Sequence, residues 1–165
     1  MTELTANEIK RVLPHRFPML LVDRVTELVP GERLTALKAV SVNEPWYEKL
    51  GDKAAEEEYH YPSVLLVESW CQSAGVLVAW EDPNPDVLSG QVMLFGGISD
   101  VEFPHPVRPG DVVEHRVTLS RSFGDTIIFE GESVVGDQVV LRVDRVTMAM
   151  RPASELTGAA PGGQS

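Results

Sequence analysis

The stretch YPSVLLVESWCQSAGVLVAW, from Tyr61 to Trp80, constrains this chain more than any other. Pro62 to Trp80 reads as one long helix, with proline in the first turn, where its missing N–H costs nothing. Val64, Leu65, Val67, Trp70, Cys71, Ala74, Val76, Leu77 and Val78 cover most of its circumference. A helix this apolar belongs inside a fold, so other elements must wrap it.

The rest of the chain supplies strands for that purpose. MLLVDRVTELV (19–29) and RLTALKAVSV (33–42) read as an antiparallel pair turning at Pro30-Gly31. After the helix come QVMLFGGISDVEF, DVVEHRVTLSRSF, TIIFEGESVVG and QVVLRVDRVTMAM, with hairpin signals at Gly124-Asp125 and Gly136-Asp137. Residues 5–13 predict a short helix capped by Thr5 or Asn7, and LPHRFP an irregular link. NEPWYEKLGDKAAEEEYHY predicts a long loop or short helices. One long helix wrapped by an antiparallel sheet of about six strands is an α+β fold. The domain is expected over 1–151. Residues 152–165, rich in Gly, Ala, Pro and Ser, are expected to be a disordered tail. A single sheet leaves its edges exposed, and pairing them between two copies predicts a dimer.

Charge and composition narrow the function. The net charge is −11, which argues against nucleic-acid binding and against anionic membrane surfaces. Uninterrupted apolar runs such as Val64–Val67 are far too short for a membrane span. One cysteine, Cys71, excludes an internal disulfide framework and a Cys-rich zinc site. On a buried helix it is expected to be an inert hydrophobe. EEEYH has no metal-ligand spacing, and the expectation is no metal and no cofactor. The N-terminus MTELTANEIKRVLPH lacks an apolar signal-peptide core, so a cytoplasmic location is expected.

Glu68 is the anomaly in the apolar helix. Burying an unpaired carboxylate costs several kcal/mol or keeps it protonated, so a core helix retains one only with a partner or a task. Desolvation is expected to raise its pKa, which suits a general acid. Gln72, four residues on, shares its face. Of the four histidines, His15 in its loop reads as structural, His105 between prolines as surface, and His115 as an exposed strand position. His60 is the candidate partner, although helix geometry sets it roughly 10 Å from Glu68 along the axis.

Several segments together resemble one family. RVLPHRFPMLLVDRV, VNEPWY, YPSVLLVESWCQSAGVL and MLFGGISDVEFPHPVRPGD are similar to segments of the bacterial 3-hydroxyacyl-acyl carrier protein dehydratases, in the same order along most of the chain. The resemblance implies the hotdog fold, a long helix wrapped by an antiparallel sheet and paired as a dimer. It implies no cofactor and a substrate carried on acyl carrier protein. It also implies a catalytic glutamate at Glu68, with the helix glutamine at Gln72, facing a histidine from the other subunit. That histidine belongs to a GHFPG motif, and here LGDKAAEEEYHYPS stands in its place. The motif's glycine, whose amide polarises the thioester carbonyl, is lost, and a second glycine has become Ser63.

The expectation is therefore a dehydratase component for polyketide or specialised fatty-acid assembly, cytoplasmic, supplying Glu68 while a partner subunit supplies the histidine. A homodimer using Glu68 and His60 is the first alternative, a non-catalytic acyl-binding subunit the second, and a hotdog thioesterase the third. Substrate contacts are expected from Gln72, Ser63, Trp70, Phe95, Met19 and Tyr47. The acidity of the chain suggests that the carrier protein, normally acidic, docks on a partner subunit.

Overall fold

Helix α2, Ser63–Ala79, runs through the middle of the fold, within one residue of its expected ends. A computed structural model describes residues 2–156. Around α2 lie six strands: β1 (Arg24–Val29), β2 (Arg33–Ala39), β3 (Gln91–Glu102), β4 (Val112–Phe123), β5 (Thr126–Val135) and β6 (Gln138–Pro152). They form one antiparallel sheet in the order β1-β2-β4-β5-β6-β3. Helix α1, Ala6–Val12, precedes the sheet, and its Glu8 carboxylate accepts from the Thr5 backbone N–H at 2.8 Å.

The two expected hairpins form. Phe123 pairs with Thr126 and Val135 with Gln138, so each loop has two residues. Gly124 and Gly136 take positive φ there, 58° and 57°, which other L-residues adopt at a cost. The edge of β1 is partly covered, since Leu4 and Val25 exchange backbone hydrogen bonds. The edge of β3 has no strand beside it among the described residues.

The core lies between the sheet and α2. Trp70, fully buried, donates its indole N–H to the Arg116 carbonyl of β4 at 3.2 Å. Gly131 of β5 makes room for that contact. A Cβ there would collide with the Arg116 carbonyl and lie 3.2 Å from the Trp70 ring. Glu56–Ala79 is apolar enough, at a hydropathy of 1.2, to match a membrane span by length and composition. Its place inside the sheet accounts for that apolarity.

Three expectations change. The first strand begins at Arg24 rather than Met19. The reason is Gln72, which takes the Met19 carbonyl and the Leu21 N–H that a strand would offer to a neighbour. His115 is fully buried, not exposed. It sits between Ser69 of α2 (Nε2 to Oγ, 2.8 Å) and Ser133 of β5 (Nδ1 to Oγ, 2.7 Å). Its neighbours two residues away, Val113 and Val117, point inward, and period-two alternation carries His115 with them. The expected tail begins with order: β6 reaches Pro152, and Ala153–Leu156 form a helical turn, α3. The remainder of that tail lies outside the described residues.

Candidate active site

Helical spacing puts Val64, Glu68, Cys71, Gly75 and Val78 on one stripe of α2, opposite the face that carries Trp70 into the core. That stripe is one wall of an open groove of about 900 Å³. Residues Val12–His15, Met19, Val92, Met93, Phe95, Met148 and Met150 line the rest. The groove is apolar along most of its length, with Glu68, Gln72 and His15 as its polar group near one end and Asp82, Asn84 and Gln91 at the other.

Glu68 is about one-third exposed. Gln72 donates from Nε2 to its Oε1 at 2.9 Å, and His15 Nε2 lies 3.3 Å from the same oxygen. These contacts decide its ionisation. The approach of the His15 imidazole, helped by the Gln72 hydrogen bond, outweighs desolvation and holds the carboxyl below its ordinary value. The sequence predicted the opposite sign from desolvation alone. Glu68 is a carboxylate at neutral pH, an acceptor of protons in its resting state.

His15 is the residue that sequence reasoning missed. Arg16 fixes its loop by donating to the carbonyls of Lys10, Leu13 and His15, which closes off the C-terminus of α1. The imidazole Nε2 approaches the Glu68 carboxylate, while the buried Nδ1 has no hydrogen-bond partner among the described residues. The signal available in the sequence was the LPHRFP link itself, with an arginine and two prolines positioned to stiffen it.

His60 lies elsewhere in the chain. It ends the 3-10 turn Glu56–Tyr59, and Arg108 Nη2 donates to its Nε2 at 3.1 Å. Arg108 also approaches Glu56 at 3.7 Å. Of the expected substrate contacts, Gln72, Met19 and Phe95 line the groove. Gln72 spends its amide on Met19, Leu21 and Glu68, so it positions the site from behind. Trp70 and Tyr47 are core residues away from the groove, and Tyr47 donates its hydroxyl to the Tyr59 carbonyl. Ser63 is exposed at the start of α2. Cys71 lines the groove one turn from Glu68, where burial, with the nearby carboxylate, pushes its thiol up to about 12. That leaves it a neutral hydrophobe, as expected.

Comparisons with known proteins bear on the family and the fold. Residues 13–144 match the model of the FabA-like domain. A 3-hydroxyacyl-[acyl-carrier-protein] dehydratase FabZ from Campylobacter hominis is 37% identical over 144 residues, covering 87% of this chain and 96% of that protein. Among solved structures, the dehydratase heterocomplex ApeI:P from Xenorhabdus doucetiae superposes with a TM-score of 0.72 at 20% identity, covering 90% of this chain and 94% of that one. A hot-dog-like protein from Thermanaerovibrio acidaminovorans gives a TM-score of 0.60 at 18% identity, covering 83% and 96%.

Proposed function

The chain belongs to the FabA-like family, among the FabZ-type 3-hydroxyacyl-[acyl-carrier-protein] dehydratases with a hotdog fold, and on that footing we propose that it eliminates water from a 3-hydroxyacyl thioester as one subunit of a hotdog dimer. The observation that carries this reading is Glu68, held ionised by His15 and Gln72 at the polar part of an apolar groove.

Elimination moves two protons. The α-proton leaves to a base, the bond from the β-carbon to the hydroxyl breaks, and that hydroxyl departs as water after taking a proton. Each positioned acid or base contributes roughly 10²–10⁴-fold. Glu68, ionised at rest, is the acceptor, and an imidazolium supplies the proton to the leaving hydroxyl. The groove receives the acyl chain, and the thioester carbonyl needs donors that the missing glycine motif no longer offers.

The imidazole comes from the second subunit in this reading. Two features support that: His60 of the same chain is not among the residues lining the groove, and the groove lies open beside the β3 edge, which has no strand neighbour among the described residues, with Val64 and Phe95 exposed. The partner is a hotdog subunit with an intact histidine motif, or a second copy presenting His60. A second reading rests on one distance, the 3.3 Å between His15 Nε2 and Glu68 Oε1, and makes His15 the imidazole within one chain. The setting proposed is cytoplasmic polyketide or specialised fatty-acid assembly, with a single catalytic domain that takes in all of β6 and an acidic carrier protein docking on the partner.

The test is enoyl formation from a 3-hydroxyacyl carrier protein, with the chain alone and mixed with a histidine-bearing hotdog subunit. Activity confined to the mixture, and lost in Glu68→Gln, is the expected result. Activity alone that vanishes in His60→Ala or in His15→Ala moves the imidazole to a second copy or to the same chain. Full activity of Glu68→Gln in every combination overturns the assignment.

A further inference from the structure

The groove does not end at the carboxylate. From Glu68 it follows α2 past Gly75, seven residues on and so roughly 10 Å along the helix axis, toward the 82–90 loop. At Gly75 the walls close in. A Cβ on this buried residue would lie 3.0 Å from the terminal methyl of Met93 and 3.2 Å from Leu13 Cδ2. Met93 reaches in from β3 and Leu13 from the end of α1, so three elements meet at one narrow point.

The residues around that point are adaptable. Every methionine after Met1, namely Met19, Met93, Met148 and Met150, lines the groove. An unbranched thioether has three rotatable bonds and re-packs at low cost, whereas a β-branched side chain holds its shape. The wall is thus rigid on the α2 side, where Gly75 offers no side chain, and movable on the β3 side.

We propose that Gly75 and Met93 set acyl-chain length: Met93 is a movable stop that closes behind a short acyl chain and swings aside for a long one, and Gly75 keeps the passage open. The acyl class this favours is an unbranched chain long enough to pass Gly75. This inference rests on the groove being the acyl site, as in the reading above.

The experiment compares kcat/KM for 3-hydroxybutyryl and 3-hydroxydodecanoyl carrier protein in the active assembly. In parallel, displacement of a fluorescent fatty acid by S-butyl and S-dodecyl pantetheine reads binding without turnover. Gly75→Ala is expected to lower the dodecanoyl-to-butyryl ratio by roughly tenfold, the discrimination one methylene gives in an apolar pocket. Met93→Ala is expected to raise the ratio, and the double variant to restore it toward the parent. Should Gly75→Ala fail to fold, Met93→Ala alone carries the test. Equal changes for both chain lengths, or a Met93→Ala ratio identical to the parent, overturn the inference. A chain-length preference in binding without any water elimination sustains it and removes the dehydratase reading instead.

Discussion

The Gln72 amide nitrogen lies 2.9 Å from Glu68 Oε1 and 2.7 Å from the Met19 carbonyl, so one side chain ties the carboxylate to the loop that carries His15. The other end of the same amide accepts from the Leu21 N–H at 2.9 Å. Site and loop are therefore one hydrogen-bonded unit. In Gln72→Leu, Met19 and Leu21 keep their backbone polar groups without that partner. The expected loss is about 2 kcal/mol in urea unfolding, from stranded buried groups. A neutral result would show that water replaces the amide.

His15 also governs the charge on Glu68. Its contact with the carboxylate is the foremost cause of the depressed carboxyl pKa, with Gln72 second among the lowering contacts. His15→Ala removes it and leaves desolvation less opposed. The Glu68 carboxyl is then expected to titrate at higher pH than in the parent. Carbon-13 NMR of labelled glutamate measures this without requiring turnover. Because the folded value is depressed, the associated stability is present above the ordinary value of 4.5 and is lost as pH falls through the folded pKa. His15→Ala should shrink that acid-side loss.

His115 imposes a second pH dependence. Burial, with Lys38 nearby, lowers it from 6.5 to about 3, so the native state holds it neutral between its two serines. The unfolded chain binds a proton that the folded chain refuses. Its contribution is complete above pH 6.5 and is lost as pH falls from there toward about 3. Unfolding free energies across that window should decline less steeply in His115→Leu than in the parent. Parallel slopes would mean that His115 is charged when folded.

Among the described glycines, Gly131 has the tightest surroundings for an added side chain. A Cβ there collides with the Arg116 carbonyl that accepts the Trp70 indole N–H, and it presses on the indole ring. Backbone on one side and a fully buried ring on the other leave little room to yield. Gly131→Ala is expected to cost about 3 kcal/mol, the range for overpacking a core. Tryptophan fluorescence during denaturation reads both the stability and the displaced ring.

Much of this architecture was visible residue by residue. The apolar circumference of Pro62–Trp80 specified a buried helix, because no surface helix has that pattern. Gly124-Asp125 and Gly136-Asp137 specified two hairpins through their turn chemistry. Glu68 stood out because an acid in a core helix needs a reason. Its partner did not stand out, since the approach of His15 depends on Gln72 gripping a loop distant in sequence and on Arg16 closing off α1. The direction of the Glu68 shift was invisible for the same reason: desolvation can be inferred from one helix, but the hydrogen bonds opposing it cannot. His115 was misjudged because its charged neighbours, Glu114 and Arg116, drew more weight than the inward valines two residues away.

Helix α2 carries the core on one face and the groove on the other. Occupancy of the groove and integrity of the fold are therefore linked by mass action. A molecule that binds only the folded chain raises its melting temperature in proportion to the logarithm of its concentration above Kd. The protein reports its own ligands through its heat resistance, and a thermal-shift series of alkyl thioethers would rank them before any reaction is observed.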